Sequence, residues 1–233
     1  MSLILNIDTS IDTASICLAH EGKMLSFRKN DNPKEQAEWI QIAIREVMKD
    51  GGYTLHDLKA IGVINGPGSY TGLRIGLSTA KGLCYALKIP LITAGSLELM
   101  AIAAKNQLEK ELANKKYLLC PMIDARRMEV YTALYDTNVT QVLQPQAMLL
   151  HQGCFIDILQ KERIIFFGNG SEKFRNILLH PNAVFVENIS PRATDISGVT
   201  FEYYKRSLFA DIAYAEPLYI KDVFIASVIK QNK

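Results

Sequence analysis

The first residues that could do chemistry are Asp8, Thr9 and Ser10, which follow a short apolar run beginning at Leu3. An acid and two hydroxyls at the end of a strand can hold a phosphate group or a metal-bound water. The stretch is therefore a candidate site for a phosphate or a metal-bound water. The alternative is a solvated strand end followed by polar turn residues.

A second stretch, Asn65–Arg74, holds the densest group of glycines in the chain. Gly66 and Gly68 let the backbone turn tightly and let a ligand come close. A helix capped by Ser69 or Thr71 would present free N–H groups at which an anion can sit. The spacing matches neither the dinucleotide fingerprint nor the P-loop, which needs Gly-Lys followed by Ser or Thr. An ordinary capped turn between a strand and a helix is the alternative.

The second half of the chain has counterparts of both stretches. Asp124 ends another apolar strand, and the following Arg126 and Arg127 could supply an anion clamp. Gly168 and Gly170 form a second glycine turn in front of another predicted helix. Here too the alternatives are a solvated strand end and a capped helix.

These counterparts belong to a longer repeat. Hydrophobic periodicity and turn residues predict the order β-β-β-α-β-α in the first half of the chain and again in the second. The predicted fold class is α/β, with two lobes and a cleft between them. We place an N-terminal lobe at residues 1–105, and a smaller C-terminal lobe with a late helix and a tail at residues 106–233.

Turn residues also set the predicted limits of several elements. Pro33 opens the first helix, because proline is favoured in a first helical turn, and Gly51-Gly52 ends it. Further predictions are a helix from Ser96 through Ala104, a strand at Val139–Leu143, a helix at Leu149–Gln160, a helix at residues 194–209 and an extended tail at Glu216–Val223.

The helix behind the first glycine loop, predicted to run to about Leu87, has a row of small residues. They recur at every fourth position and therefore share one face; they are Gly72, Gly76, Ala80 and Cys84. A glycine inside a helix costs about 1 kcal/mol relative to alanine. We expect a close approach by another helix to offset that cost.

The first helix is apolar over a wide arc that includes the sequence's single tryptophan. Trp39, Ala43 and Val47 extend this arc beyond what one core needs, and tryptophan is enriched among interface anchors. We interpret the arc and the small-residue row as a surface for a partner protein. Burial of both helices within the lobe is the alternative.

Composition argues against several classes of protein. The 26 basic and 24 acidic residues give a net charge of +2, so tight nucleic-acid binding by the chain alone is not indicated. Neither metal-ligand spacing nor a G-x-S-x-G elbow occurs, so no catalytic or metal-ligating residue is named. The four scattered cysteines predict reduced thiols in a cytoplasmic protein. We expect no membrane span and no signal peptide.

The repeated order, with an acid-ended hairpin and a later glycine turn in each half, resembles the actin/sugar-kinase/Hsp70 ATPase superfamily. Within it, the chain resembles the TsaB (YeaZ) family of tRNA threonylcarbamoyladenosine biosynthesis proteins. Four stretches carry this likeness: Ile7–Ser10, Gly66–Gly76, Ile123–Tyr131 and Ala215–Ile220. They span nearly the whole chain, and the second is the most specific.

The resemblance implies a subunit without catalysis of its own. It implies pairing with a TsaD-like transferase through the first two helices, a TsaE-like ATPase that joins the complex, and a homodimer when the chain is alone. It implies contact with tRNA only through the complex, with ATP or ADP as a ligand at the joint. The superfamily places phosphates between its hairpins, so the candidate nucleotide-binding residues are Asp8, Thr9, Ser10, Gly66, Gly68, Ser69, Gly168 and Gly170.

The sequence also departs from the pattern of its relatives. The first hairpin lacks the glycine of the superfamily's ATPases, Gln36 stands where relatives often have His, and the metal-binding His pair of TsaD has no counterpart. Two other functions stay open. One is an active ATPase or small-molecule kinase, in which Asp8 and Asp124 act on a magnesium-bound phosphate. The other is a stand-alone RNA-binding module, which the balanced charge disfavours.

Overall fold

The computed structural model describes residues 2–11, 13–32, 35–112 and 116–220, and its strands form two five-stranded sheets. The strands of the first sheet are β1 (Leu3–Asp8), β2 (Ala14–His20), β3 (Lys23–Asn30), β4 (Ala60–Gly66) and β5 (Leu91–Gly95). Those of the second are β6 (Leu118–Asp124), β7 (Glu129–Tyr135), β8 (Gln141–Leu149), β9 (Ile164–Phe167) and β10 (Ala183–Phe185).

Helices connect and cover these sheets. They are α1 (Gln36–Gly51), α2 (Tyr70–Leu87), α3 (Ser96–Leu112), α4 (Ile156–Leu159), α5 (Ser171–Arg175) and α6 (Ala193–Lys205). The predicted start of the first helix at Pro33 and the end of the tail beyond residue 220 lie outside the described residues.

The two sheets share one topology. Their orders are β3-β2-β1-β4-β5 and β8-β7-β6-β9-β10. In each, the first strand is antiparallel to the second and parallel to the fourth. The predicted α/β class with a duplicated order is confirmed. The sequence prediction missed β10, which is the counterpart of β5 and is only three residues long.

The second half differs from the prediction between residues 139 and 160. The strand predicted at Val139–Leu143 is β8, which runs on to Leu149, and the predicted helix that follows shrinks to α4. β8 continues through Pro145 because it is an edge strand, where a residue without an N–H is tolerated. The other two differences are at helix ends: α3 extends past Ala104, and α6 ends at Lys205.

α1 and α2 lie side by side on one face of the first sheet. α1 packs on β2 and β3, and α2 packs on β1 and β4. Their buried side chains join those of the strands in one core, to which the helices contribute Ile40, Ala43, Ile44, Val47, Met48, Leu77, Ala80 and Cys84. Burial of this many apolar side chains is what holds both helices to the sheet.

α3 and α6 link the two sheets. α3 contacts β4 and β5 of the first sheet and β6 and β7 of the second, whereas α6 returns to the first sheet and to α3. The Thr200 hydroxyl of α6 donates a hydrogen bond to Asn6 Oδ1 of β1 at 2.6 Å. The late helix therefore packs on the first sheet, and a domain boundary between residues 105 and 106 stays a prediction.

Candidate functional site

The first hairpin turn faces the interior of the protein. Asp8, Thr9 and Ser10 are at most 5% exposed. The backbone N–H and the hydroxyl of Ser10 donate to Asp8 Oδ1 at 2.9 and 2.7 Å. The Thr9 hydroxyl donates to the carbonyl of Gly72 at 2.7 Å. The polar groups that the sequence offers to a ligand are therefore bonded within the chain.

The Asp8 carboxyl is poorly placed to ionise. Burial raises its pKa, and the hydrogen bonds from the Ser10 hydroxyl and backbone N–H oppose that rise without cancelling it. Holding a metal-bound phosphate requires an ionised carboxylate that solvent and ligand can reach. Asp8 is only 5% exposed, so a ligand does not reach it in this arrangement.

We expect the substitution Asp8→Asn to stabilise the protein at neutral pH. The amide keeps an oxygen that accepts from Ser10 and removes the charge. Because the folded-state pKa of Asp8 is raised, its ionisation favours the unfolded chain once the pH exceeds the ordinary value of 3.8. The urea midpoint of the variant should exceed that of the wild type at pH 7, and the gap should close below pH 3.8. A lower midpoint at pH 7 would show that the carboxylate stabilises the turn.

The glycine loop before α2 packs directly on this turn. A Cβ on Gly68 would lie 2.0 Å from the carbonyl oxygen of Ser10, so only glycine fits there. The Ser69 N–H donates to the same carbonyl at 2.7 Å. The Ser69 hydroxyl accepts from the N–H of Gly72 at 3.3 Å and caps the helix. Two N–H groups at the start of α2 are thus used within the chain.

The second hairpin turn is held by an ion pair. Asp124 Oδ1 accepts from Lys173 Nζ at 2.9 Å and from the N–H of Arg126 at 2.6 Å. Burial raises the pKa of Asp124, but these bonds and the Lys173 charge outweigh burial and lower it. Asn169 Oδ1 accepts from the N–H of Asp124 at 2.9 Å. Sequence reasoning missed Lys173, because it lies 49 residues further along the chain and in no motif.

The second glycine turn packs on the second hairpin as the first glycine loop packs on the first. The N–H of Gly170 donates to the carbonyl of Met122 at 3.0 Å. A Cβ on Gly168 would lie 2.4 Å from the same oxygen. Each predicted half of the nucleotide site therefore assembles on its own sheet. That a nucleotide binds to these residues stays a prediction.

The row of small residues on α2 faces the chain's own core. A Cβ on Gly72 would lie 2.0 Å from the carbonyl oxygen of Thr9, and one on Gly76 would lie 2.3 Å from the Thr9 hydroxyl. Ala80 and Cys84 are fully buried. The interpretation of this row as a partner surface is therefore wrong. The close approach that offsets its glycines is to the hairpin turn of the same chain.

The apolar arc of α1 is buried in the same core. Ala43 and Val47 are at most 1% exposed, so their interpretation as partner contacts is also wrong. Trp39 is half-buried against that core. It shares a helix flank with Glu46, whose side chain bonds Arg28 of β3, so this flank faces the edge of the first sheet. A partner contact of Trp39 stays a prediction.

A different face of α1 and α2 is open to solvent, and we call it the outer face. On α2 it carries Ser78, Gly82 and Ala86, a second row of small residues, and Tyr85, which is 81% exposed. A Cβ on Gly82 would have no atom within 4 Å, so nothing in the described chain offsets the cost of a glycine there. On α1 the outer face carries Ile42, which is 46% exposed.

The last described residues pack along α2. The N–H of Leu218 donates to the carbonyl of Asn65 at 2.7 Å. Arg74 Nε donates to the hydroxyl of Tyr219 at 2.8 Å, and its guanidinium lies 3.9 Å from the centre of the Tyr70 ring. The last stretch of the family resemblance thus contacts the most specific one. These contacts hold the first turn of α2 on one side, and the contacts of Gly72 and Gly76 with Thr9 hold it on the other.

Three further features of the described ranges concern metal-ligand groups, cysteine thiols and membrane-spanning helices. No group of three or more His, Cys, Asp or Glu side chains there is placed to hold a metal ion. Burial raises the pKa of Cys17, Cys84 and Cys120 to about 12, so these groups are thiols at neutral pH. No helix in the same ranges is long and apolar enough to cross a bilayer.

The family of the chain follows from its similarity to known proteins. A family model described as "TsaD: tRNA N6-adenosine threonylcarbamoyltransferase" matches residues 31–217. The tRNA threonylcarbamoyladenosine biosynthesis protein TsaB of Bacillus subtilis (strain 168) is 32% identical over 183 residues, which are 75% of this chain and 74% of the relative. The chain belongs to the TsaB family.

Other members and solved structures agree with this assignment. TsaB of Escherichia coli (strain K12) is 28% identical over 232 residues, which are 94% of each chain. YeaZ from Pseudomonas aeruginosa superposes with a TM-score of 0.77 at 24% identity, covering 94% of this chain and all of that one. A second Pseudomonas aeruginosa structure, described as similar to peptidase YeaZ, has a TM-score of 0.79. The TsaB family thus shares this fold, and the predicted resemblance is confirmed.

Proposed function

We propose that this TsaB-family chain is a non-catalytic subunit for threonylcarbamoylation of tRNA. It pairs with a TsaD-like transferase through the outer face of α1 and α2, and a TsaE-like ATPase joins the pair. Gly82 is the observation that carries the proposal. It lies inside a helix, has open space around it, and is followed one helical turn later by the exposed Tyr85. Ile42 of α1 is exposed as well. Small residues that admit a neighbouring helix, flanked by aromatic anchors, are typical of a helix–helix interface.

The family match supports the choice of a TsaD-like partner. The matching family model carries the description of a TsaD, so a TsaD-like transferase would share this fold and its two outer helices. Related chains can meet through equivalent faces about a near two-fold axis, as identical chains do. The same face then serves a homodimer when the chain is alone.

The closed first hairpin supports a role without catalysis. Asp8 is buried, the Thr9 hydroxyl is bonded to Gly72, and the Ser10 hydroxyl is bonded to Asp8. An active ATPase or kinase would need these groups to face a metal-bound phosphate. In this proposal ATP or ADP binds at the joint with the transferase, in the cytoplasm, rather than in this chain alone.

Reconstitution tests the proposal. With an activated threonylcarbamoyl donor supplied, purified transferase and ATPase should modify unmodified tRNA when this chain is present and fail to do so when it is omitted. Sedimentation should show this chain and the transferase as one species. Equal modification without the chain would overturn the scaffold role. Turnover of ATP by the isolated chain would favour the ATPase alternative instead.

A further inference from the structure

A cluster of cations lines an open concavity of about 500 Å³ at the end of the second sheet where β6 and β9 begin. Lys116 stands just before β6, and Lys161 and Arg163 stand just before β9. Glu162 and Asn182 complete the lining. The concavity thus holds three positive charges and one negative charge, in a chain whose total net charge is only +2.

Backbone hydrogen bonds fix the relative positions of these segments. The N–H of Leu118 donates to the carbonyl of Arg163 at 2.8 Å, and the N–H of Ile164 donates to the carbonyl of Asn182 at 2.9 Å. These bonds belong to the starts of β6, β9 and β10, three parallel neighbours in the sheet. The three cations therefore lie at the starts of hydrogen-bonded strands rather than on a loose loop. We call Lys116, Lys161 and Arg163 the cationic rim.

The three cations have no protein partner among the described residues. Lys116, Lys161 and Arg163 are exposed, and within those residues their side chains form no ion pair or hydrogen bond. Two cations of the second half that do have partners are Lys173, which pairs with Asp124, and Arg175, which pairs with Glu187. Unpaired, converging cations are free to bind an external anion.

We propose that this cationic rim binds the phosphodiester backbone of tRNA within the assembled complex. The inference rests on the proposed function, because it takes tRNA to be what the complex handles. Lysine is a point-charge partner for phosphate, and arginine can bind phosphate through two N–H groups. The lining contains no aromatic ring on which a base could stack. The contact therefore adds affinity without reading sequence.

The position of the rim suits a complex that also needs the outer face. The rim lies at the start of strands in the second sheet, whereas α1 and α2 cover the first sheet. A transferase seated on the outer face leaves the rim on a different part of the chain. The near-neutral net charge explains why the isolated chain would bind RNA weakly even with this rim.

The test uses the assembled complex and a matched pair of triple variants. One removes the rim cations, as Lys116→Ala, Lys161→Ala and Arg163→Ala. The control removes two lysines and one arginine that are exposed on or beside first-sheet elements, as Lys23→Ala, Lys59→Ala and Arg206→Ala. The measurement is the Kd of unmodified tRNA as a function of salt, by fluorescence anisotropy.

The rim variant should bind tRNA at least about 10-fold more weakly near 0.1 M salt. Its plot of log Kd against log salt should be shallower by about 2 to 3, one unit for each lost phosphate contact. The control should match the wild type. Identical curves for rim variant and wild type would overturn the inference, as would a selective loss of affinity for the ATPase, which would assign the rim to an acidic protein.

Two further readouts keep this inference separate from the proposed function. Complex assembly and the rate of modification at saturating tRNA should be unchanged in the rim variant. If the wild-type complex assembles and modifies tRNA but the rim variant binds it normally, only the rim inference fails. If the chain is dispensable for modification, the proposed function fails whatever the salt dependence shows.

Discussion

The variant Gly72→Ala is expected to be strongly destabilised, whereas Gly82→Ala in the same helix is expected to be slightly stabilised. The added Cβ at Gly72 would lie 2.0 Å from a backbone carbonyl oxygen of the hairpin turn, which cannot move aside as a flexible side chain can. Overpacking of this kind costs about 3 kcal/mol or more. At Gly82 the same methyl group meets nothing, so only the helix preference for alanine acts, worth about 1 kcal/mol.

Urea unfolding of the two variants measures this difference. Both substitutions add one methyl group to one helix, so each serves as the control for the other. A lowered midpoint for Gly72→Ala and a raised midpoint for Gly82→Ala, with similar slopes, are the expected pattern. Equal midpoints would mean that α2 does not lie as close to the hairpin turn as the structure places it.

The variant Gly82→Arg is expected to lose its affinity for the transferase by about 100-fold while keeping its fold. A long charged side chain on the outer face holds the partner helix away and must be desolvated at the contact. The open space around Gly82 in the single chain leaves stability near that of the wild type. Titration calorimetry gives the affinity, and circular dichroism checks the fold.

Gly198→Arg is the matched control for this experiment. Gly198 lies on α6, and a Cβ there also meets no atom within 4 Å. The same glycine-to-arginine change is therefore made on a helix away from the outer face. Normal binding by both variants would exclude the outer face as the joint, and equal loss by both would point to a general effect of the added charge.

Local patterns were enough to predict most of the first sheet. The apolar run that ends at Asp8, the glycine pair that ends α1 and the Ser69 cap each specify structure within a few residues, and the structure has all three. The strand predicted at Val139–Leu143 ended too early, because β8 continues through Pro145 and the sequence does not show which strand lies at an edge. Position in the sheet is a property of the whole fold.

The larger error was the prediction of which face of α2 is exposed to a partner, and its cause is physical. The row from Gly72 to Cys84 and the row of Ser78, Gly82 and Ala86 both repeat every four residues, so each forms one face of the helix. Both rows contain small residues, and composition alone does not say which faces a sheet. Only the contact of Gly72 with the turn at Thr9 decides, and that contact spans 63 residues.

Lys173 shows the same limit at the candidate site. The acid at Asp124 was found because it ends an apolar strand, but its partner Lys173 comes from a short helix 49 residues further along the chain. The rim of Lys116, Lys161 and Arg163 likewise forms only when separate segments pair as neighbouring strands. Sequence patterns predict single helices and strands well. A site built from several of them can be found only once the fold is known.

One reconstituted modification assay tests the central claim most directly, with two variants of this chain side by side. The first is Gly82→Arg, which alters the outer face. The second is the double variant Asp8→Asn and Asp124→Asn, which removes both hairpin charges and keeps their oxygen acceptors. The scaffold account predicts that Gly82→Arg abolishes tRNA modification at limiting protein concentration and that the double variant supports it fully. Loss of activity in the folded double variant, with normal activity of Gly82→Arg, would contradict the account.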